Sequence, residues 1–172
     1  MSKKIMVLAT FLVLAFSIAC TKNNETVSRT DAVKAALTQA ELTDVSVSED
    51  RDKNTITLGG TVHSDAAKAQ AATIAEGPAG GRTVVNEISV RPVGLESEAK
   101  SADSKIDDAI EKNYDAALIQ HGLDKQHIRY DAKNGVLTLK GSVKTPRARI
   151  EAAKLAESIP NVQQVVNQIE AK

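Results

Sequence analysis

The stretch TLGGTVHSDAAKAQAATIA, residues 57–75, has a near copy 81 residues later, TLKGSVKTPRARIEAAKLA, residues 138–156. The same offset pairs Leu37 with Leu118, and it aligns VVN at residues 84–86 with VVN at residues 165–167 without a gap. About a third of the positions between residues 33 and 88 are identical to their partners. Identity at a constant offset over this length indicates an internal duplication, so we expect two domains of one fold.

The first copy changes its hydrophobic period along the chain in a way that predicts its elements. Apolar residues at positions 33, 36, 37 and 40 have helical spacing, and Thr30 is the predicted N-cap. Apolar and polar side chains then alternate at residues 45–47 and 55–62 around the turn EDRDKN, which predicts an antiparallel hairpin with one apolar face. Ser64 is predicted to cap a second helix, and residues 84–90 are predicted to form the last strand.

The predicted fold class is α+β, with two small αββαβ domains at residues 30–91 and 104–171. The last strand follows a helical crossover and is expected to run parallel to its neighbour, which makes each sheet a three-stranded mixed sheet with both helices on its apolar face. Residues 92–103 carry Pro92 and Gly94 and are the predicted linker. Because a unit this small buries little apolar surface, the copies are expected to pack against each other.

The composition predicts a folded body without a large aromatic core. The chain has 172 residues, 42% of them hydrophobic, and a formal net charge of zero. Aromatic residues make up only 2%, and Tyr114 and Tyr130 are the only ones after residue 20, so the core is expected to consist of Ala, Val, Leu and Ile. Neutral charge and scarce aromatics disfavour nucleic acid as a partner.

The N-terminus has the pattern of an export signal. Lys3 and Lys4 precede an apolar run, residues 5–19, that is too short to span a bilayer comfortably, so residues 1–19 are the predicted signal peptide. Removing them takes away two lysines and no acid, which leaves a net charge of about −2. Cys20 is the only cysteine of the chain, so it has no intramolecular disulfide partner.

The position of Cys20 resembles the lipobox of bacterial lipoproteins, with Ser17 where leucine is usual. This resemblance implies lipidation of Cys20 and a tether at residues 20–29 that holds the body near the membrane. Thr21 is not the aspartate that retains lipoproteins at the inner membrane in enteric bacteria, so the implied location is the outer membrane, facing the periplasm. An ordinary secreted protein and an uncleaved anchor are the alternatives.

ITLGGTV at residues 56–62 and VLTLKGSV at residues 136–143 each precede an Ala-rich helix, and VVNEI and VVNQI end the two copies. This pattern resembles tandem BON domains, the bacterial osmotically inducible and nodulation family, as found in two-domain envelope lipoproteins. The resemblance implies a non-catalytic periplasmic module that binds phospholipid and supports envelope integrity. The first copy departs from the family at GPAGGRTVVN, where Pro78 and Gly81 replace Ile159 and Val162 of the second, so a looser corner is expected.

The two copies differ in charge, and the difference suggests a headgroup site. Residues 30–92 contain 6 basic and 9 acidic residues, whereas residues 104–172 contain 11 basic and 9 acidic. Cations around the end of a strand and the start of a helix can bind a phosphate group. The candidate phospholipid-headgroup residues are Lys140, Lys144, Arg147, Arg149 and Lys154. The alternative is that these charges only solvate the helix.

Two pairs of residues that repeat in both copies are predicted to be structural. Gly60 and Gly141 lie within strands, where glycine marks a bulge or close packing more often than the approach of a ligand. Asn86 and Asn167 share a face with apolar residues, so their amides are expected to satisfy backbone groups.

The sequence predicts neither a metal site nor catalysis. His63, His121 and His127 lack the spacing of metal ligands, and no cofactor is expected. No nucleophile with a base, phosphate-binding glycine loop or carboxylate pair stands out, so the protein is not expected to be an enzyme. Two hypotheses remain: an envelope lipoprotein that binds anionic phospholipid and supports envelope integrity or stress tolerance, and a periplasmic adaptor that binds a protein partner during envelope assembly or osmotic stress.

Overall fold

The computed structural model describes residues 28–172, so the predicted signal peptide, Cys20 and most of the tether lie outside the described residues. The α+β class and the internal duplication are confirmed. The first copy contains α1 (Arg29–Gln39), β1 (Val45–Asp50), β2 (Thr55–Val62), α2 (Asp65–Ala79), β3 (Thr83–Asn86) and β4 (Ser89–Val90). The second contains α3 (Glu96–Gln120), β5 (His127–Lys133), β6 (Val136–Val143), α4 (Pro146–Glu157) and β7 (Gln164–Ala171).

Each copy forms a mixed sheet with its second strand in the centre. β1 is antiparallel to β2, whereas β3 and β4 are parallel to β2. In the second copy, β5 is antiparallel to β6 and β7 is parallel to it. The prediction of one continuous strand at residues 84–90 was wrong, because the ladder is interrupted between Asn86 and Ser89. The interruption coincides with the carbonyl of Glu87, which accepts a hydrogen bond of 2.7 Å from Nδ2 of Asn134 in the second copy.

Both helices of each copy cover one face of its sheet, as the alternating pattern predicted. In the first copy, Val33 and Leu37 of α1 and three alanines of α2 pack against the apolar side chains of the sheet. In the second copy, the ring of Tyr114 is fully buried and meets the ring of Tyr130 edge to face, with 5.1 Å between their centroids. We call the uncovered side of each sheet its open face. The alanines of α2 are Ala71, Ala75 and Ala79.

Of the two predicted helix N-caps, one is wrong and one is confirmed. Helix α1 begins at Arg29 with Ser28 at the N-cap, so the prediction of Thr30 was wrong by two residues. Ser64 is confirmed as the cap of α2, where its hydroxyl accepts a hydrogen bond of 3.2 Å from the amide of Ala67. Thr145 caps α4 in the same way, accepting from the amide of Ala148 at 3.1 Å.

The gap-free alignment of the copies was wrong over the first strand of each hairpin. Val45 pairs with Gly60, whereas Ile128 pairs with Gly141, so β1 corresponds to β5 at an offset of 83 and β2 to β6 at 81. The second copy has two more residues before its hairpin, and its turn is two residues shorter. These changes compensate each other, which is why the offset of the flanking segments is unchanged.

The corner before the last strand also differs between the copies. Helix α2 continues through Pro78 to Ala79, which is fully buried. In the second copy α4 ends at Glu157, and Ile159 fills the equivalent place with 8% of its surface exposed. The first copy therefore closes this corner with a smaller side chain.

The copies meet where β3 approaches β6 and β7. The side-chain amide of Gln164 binds the outer edge of β3: its Oε1 accepts from the amide of Asn86 at 3.1 Å, and its Nε2 donates to the carbonyl of Val84 at 2.7 Å. An ion pair of 2.8 Å joins Lys133 to Glu87. The predicted linker is helical from Glu96 onward. A small apolar cluster shared by the copies contains Val85, Val136 and Val166.

Candidate functional site

The five predicted headgroup residues do not form one cluster. Lys140 lies on β6 between Leu139 and Gly141, and its side chain is on the open face, because consecutive strand residues alternate between faces and Leu139 is in the core. The other four follow β6 and belong to the turn and to α4, which packs on the covered face: Lys144, Arg147, Arg149 and Lys154. The five residues are close in the chain, but Lys140 lies on one side of the sheet and the other four lie on the side that α4 covers.

The outer side of α4 is basic and partly apolar. Its buried side is formed by Ala148, Ala152 and Ala156, and residues three and four apart share a side of a helix. Ile150 lies on the opposite side with 59% of its surface exposed. It is flanked one turn away in each direction by Arg147 and Lys154. We call this region, together with Lys144 in the preceding turn, the α4 surface.

The charges of the α4 surface are free of ion pairs within the described residues. No carboxylate oxygen lies within 4.0 Å of the side-chain nitrogen of Lys144, Arg147 or Lys154. The first turn of α4 contains no acidic residue, whereas that of α2 contains Asp65. The positive end of the α4 dipole and the cations around it therefore produce a positive potential on this part of the second copy.

The first copy uses the equivalent position for its contact with the second copy. Lys68 of α2 corresponds to Arg149 of α4, and its Nζ donates to the carbonyl of Asn134 at 3.0 Å. Burial lowers the pKa of Lys68 below its usual value, although the nearby charge of Asp103 partly opposes this. The position of Lys68 is therefore partly covered by the second copy, while the equivalent Arg149 is exposed.

A second feature is a groove of about 590 Å³ between the open faces of the two sheets. The first copy contributes Thr55, Thr57 and Glu87 to its walls, and Val85 and Val166 lie where the walls meet. Its charged residues balance in number: Asp50, Lys53, Glu87, Arg129, Asp131, Lys140, Glu170 and Lys172. Lys140 belongs to this groove and not to the α4 surface.

The repeated glycines occupy a conformation that other residues rarely adopt. Gly60 and Gly141 have φ of +94° and +105°. A Cβ atom at Gly141 would collide with the carbonyl oxygen of His127 on β5, and one at Gly60 would collide with the carbonyl oxygen of Asp44. Close approach of the neighbouring backbone is thus the physical reason for glycine at both positions.

The repeated asparagines make the same two hydrogen bonds in each copy. Nδ2 of Asn86 donates to the carbonyl of Lys68 at 3.0 Å, and Nδ2 of Asn167 donates to the carbonyl of Arg149 at 3.3 Å. Their Oδ1 atoms accept from the amides two residues later, at 3.4 and 3.1 Å. Each side chain therefore joins the last strand of its copy to the crossover helix.

The histidines are dispersed. Nδ1 of His63 lies 2.9 Å from the carbonyl oxygen of Arg91, and Nδ1 of His121 lies 3.6 Å from a carboxylate oxygen of Glu151. Among residues 28–172 there is no group of three or more histidine, cysteine or acidic side chains arranged to hold a metal. In the same part of the chain, no helix is both long and apolar enough to span a bilayer.

Three residues that are prominent in the structure are absent from the residues predicted from the sequence. Ile150 could have been found from its helical spacing to Arg147 and Lys154. Arg129 could have been found only with the correct hairpin register, because it lies directly opposite Lys140 on the β5–β6 ladder. Nothing in the local pattern marks Gln164, since its two partners belong to the other copy.

These features define a class of protein: a tandem repeat of two small α+β domains that pack together, with a basic surface on the second copy. The chain belongs to the BON domain family, whose model matches residues 26–92 and again residues 106–172. BON domains are generally non-catalytic modules associated with envelope or periplasmic proteins.

Comparison with curated proteins gives no match. Two solved structures of CdsD, a structural protein of the type III secretion system of Chlamydia trachomatis, are similar over most of the chain. The first, of the C-terminal domain, has 10% identity and a TM-score of 0.34, covering 85% of this chain and 98% of that one. The second has 11% identity and a TM-score of 0.36, covering 83% and 91%.

Proposed function

We propose that this chain is a lipid-anchored envelope protein whose second copy contacts anionic phospholipid headgroups through the α4 surface. The observation that carries the proposal is the combination of unpaired cations with an exposed Ile150 on the outer side of one helix. Membrane-surface helices share this combination, because cations attract anionic lipid while an apolar side chain enters the headgroup boundary. Arg149, on the flank of α4 toward β7, adds a further cation beside this surface.

The tether supports the same arrangement. With Cys20 acylated, the eight residues to Ser28 span at most about 26 Å when fully extended. The body therefore stays within reach of the membrane surface, and weak contacts suffice to orient it. In this arrangement the acyl chains supply the attachment, and the α4 surface selects the lipid that the body touches. The location that we propose is the periplasmic side of the outer membrane.

The expected contribution of the surface follows from its charge. Each cation near an anionic membrane contributes on the order of 1 kcal/mol, and the contribution falls within a Debye length. Three cations are therefore worth on the order of a hundredfold in partition at low salt. Since the described part of the chain exposes no aromatic side chain on α4, the contact is expected to be shallow and sensitive to salt.

The test is flotation of residues 21–172, which include every described element, with liposomes of anionic or purely zwitterionic lipid. We expect flotation with the anionic liposomes only, and its loss at high salt. A triple variant, Lys144→Gln, Arg147→Gln and Lys154→Gln, is expected to lower the partition coefficient on the order of a hundredfold at low salt. The matched control is Lys34→Gln, Lys105→Gln and Lys112→Gln, which removes the same charge from exposed positions elsewhere.

Two outcomes contradict the proposal. One is equal loss of flotation in the control variant, which assigns the effect to net charge and not to the α4 surface. The other is the absence of flotation under all conditions, which leaves membrane contact to the acyl chains alone. We further propose that headgroup contact supports envelope integrity under osmotic stress. A deletion strain is then expected to lose viability after osmotic shock, and the triple variant is expected to restore it less well than the control.

A further inference from the structure

The open face of the second sheet carries two cations in direct opposition. Arg129 of β5 pairs with Lys140 of β6 in the antiparallel register, and both side chains are exposed and line the groove between the copies. Directly opposite residues on one face of an antiparallel pair have their Cβ atoms about 5 Å apart, and like charges in this position are destabilising. The sheet therefore keeps an arrangement that local electrostatics disfavours.

Within the described residues, neither cation of this pair forms an ion pair. No carboxylate oxygen lies within 4.0 Å of the side-chain nitrogens of Arg129 or Lys140. The third strand adds the neutral Gln168 to the same row, while the acids Asp131 and Glu170 lie one row away on either side. The two cations thus face the groove with donors available for an anion.

The first copy has no counterpart of this pair. Gly59 corresponds to Lys140, and it pairs with Ser46, which corresponds to Arg129. Glu87, in the interruption between β3 and β4, corresponds to Gln168 of the second copy. The paired cations are therefore a specialisation of the second copy, and the fold itself does not require them.

We propose that the groove binds an extended acidic segment of a partner protein, with a carboxylate of that segment between Arg129 and Lys140. The groove has a volume of about 590 Å³ and is lined by the open faces of both sheets, so a chain segment has room between them. The opposite wall carries Asp50, Lys53 and Glu87, a mixed set of charges that suits a chain of mixed charge better than a continuous anionic surface such as a bilayer. Threonine hydroxyls on both walls, Thr57 and Thr138, supply hydrogen-bonding groups along the path.

This inference is independent of the proposed membrane contact, because the two surfaces share no residue. The groove is on the open faces of the sheets, while α4 packs on the covered face. Variants at one surface therefore leave the other intact, and the failure of one proposal can be told apart from the failure of the other.

The test measures binding of a fluorescently labelled hexaglutamate peptide to residues 21–172 by anisotropy at low salt. The double variant Arg129→Gln and Lys140→Gln is expected to bind at least about tenfold more weakly. The matched control, Lys144→Gln and Arg147→Gln, removes the same charge from the α4 surface and is expected to bind within about twofold of the parent chain. Thermal unfolding accompanies both, and the groove variant is expected to unfold at the same or a higher temperature, because it loses a like-charge pair.

Three results would overturn the inference. The first is that the parent chain does not bind the peptide. The second is that the groove variant and the control lose the same affinity, which reduces the effect to net charge. The third is that the groove variant loses flotation with anionic liposomes but keeps its affinity for the peptide, which assigns the cations to lipid phosphate.

Discussion

The surroundings of Tyr130, one of the two aromatic residues in the described part of the chain, change the pKa of its phenol. Its hydroxyl donates to Oδ1 of Asp115 at 2.8 Å, and its ring packs against that of Tyr114. Burial, together with the hydrogen bond to Asp115 and the charge of that carboxylate, raises the pKa of Tyr130 to about 12. Burial also raises the pKa of Tyr114, whose hydroxyl donates to the carbonyl of Ala152 at 3.1 Å. Both shifts favour the neutral phenol in the folded protein.

We expect the free energy of unfolding to fall as the pH rises from about 10 toward 12. The pKa of Tyr130 is raised on folding, so its contribution is complete below the unfolded value near 10 and is lost as the pH approaches the folded value. Tyr130→Phe removes this ionisation and is expected to flatten the decline, although Tyr114 keeps part of it. Urea unfolding of both proteins between pH 8 and pH 12 measures the difference. Identical slopes in the parent and the variant would contradict this account.

At the scale of elements, the hairpins show which features of a strand pair are local. In β2 and in β6, polar and apolar residues alternate, so the apolar residues lie on the covered face. This follows from the two-residue repeat of a strand. The register of the preceding strand follows instead from loop lengths, which differ by two residues on each side of β1 and β5. Gly60 and Gly141 keep the same place in both hairpins, opposite the beginning of the first strand.

Gly141→Ala is expected to destabilise the second hairpin by about 3 kcal/mol, because a positive φ and a collision with the carbonyl of His127 both oppose the new methyl group. The matched control is Gly77→Ala inside α2, where nothing lies within 4 Å of the added Cβ. That substitution is expected to stabilise the protein by up to about 1 kcal/mol, since alanine is the better helix former. Chemical unfolding measures both changes. A Gly141 variant as stable as the parent would refute the close-approach explanation.

At the scale of the whole molecule, the contact between the copies makes them unequal. Lys68 and the edge of β3 are used for this contact, whereas Arg149 and the α4 surface remain exposed. The position shared by Lys68 and Arg149 is therefore partly covered in the first copy and exposed in the second. This asymmetry, together with the extra cations of the second copy, supports the proposals that place function on the second copy.

Gln164→Ala is expected to lower the free energy of unfolding by about 2 kcal/mol, because two hydrogen bonds between the copies are lost and each contributes about 1 kcal/mol. Hydrogen exchange gives a local measure: the amide of Asn86 is expected to exchange faster in the variant. The amide of Ile169, which donates to Oδ1 of Asn167 within the second copy, is the internal control and is expected to keep its protection. Unchanged exchange at Asn86 would show that Gln164 does not hold the copies together.

Much of the fold could be predicted from the sequence, and the candidate site only in part. The period of the apolar residues predicted the helices, the hairpins and the covered face, while the offset of 81 residues predicted the duplication. Lys144, Arg147 and Lys154 lie in α4 or in the turn before it, whereas Lys140 was grouped with them although neighbouring residues of a strand lie on opposite faces and Leu139 is in the core. The register of β5 could not be predicted, because the two residues added before the second hairpin and the two removed from its turn leave the offset of the flanking segments at 81.

The sequence by itself determined the identity of the elements, because the hydrogen-bond geometry of a helix or a strand sets which neighbouring residues share a side. Only the tertiary structure decided which surfaces of the two copies are covered. Gln164 and Asn86 are 78 residues apart, and Lys68 and Asn134 are 66 apart. Contacts over such separations depend on the shapes of the two folded domains where they meet. The local sequence pattern of either copy does not determine those shapes.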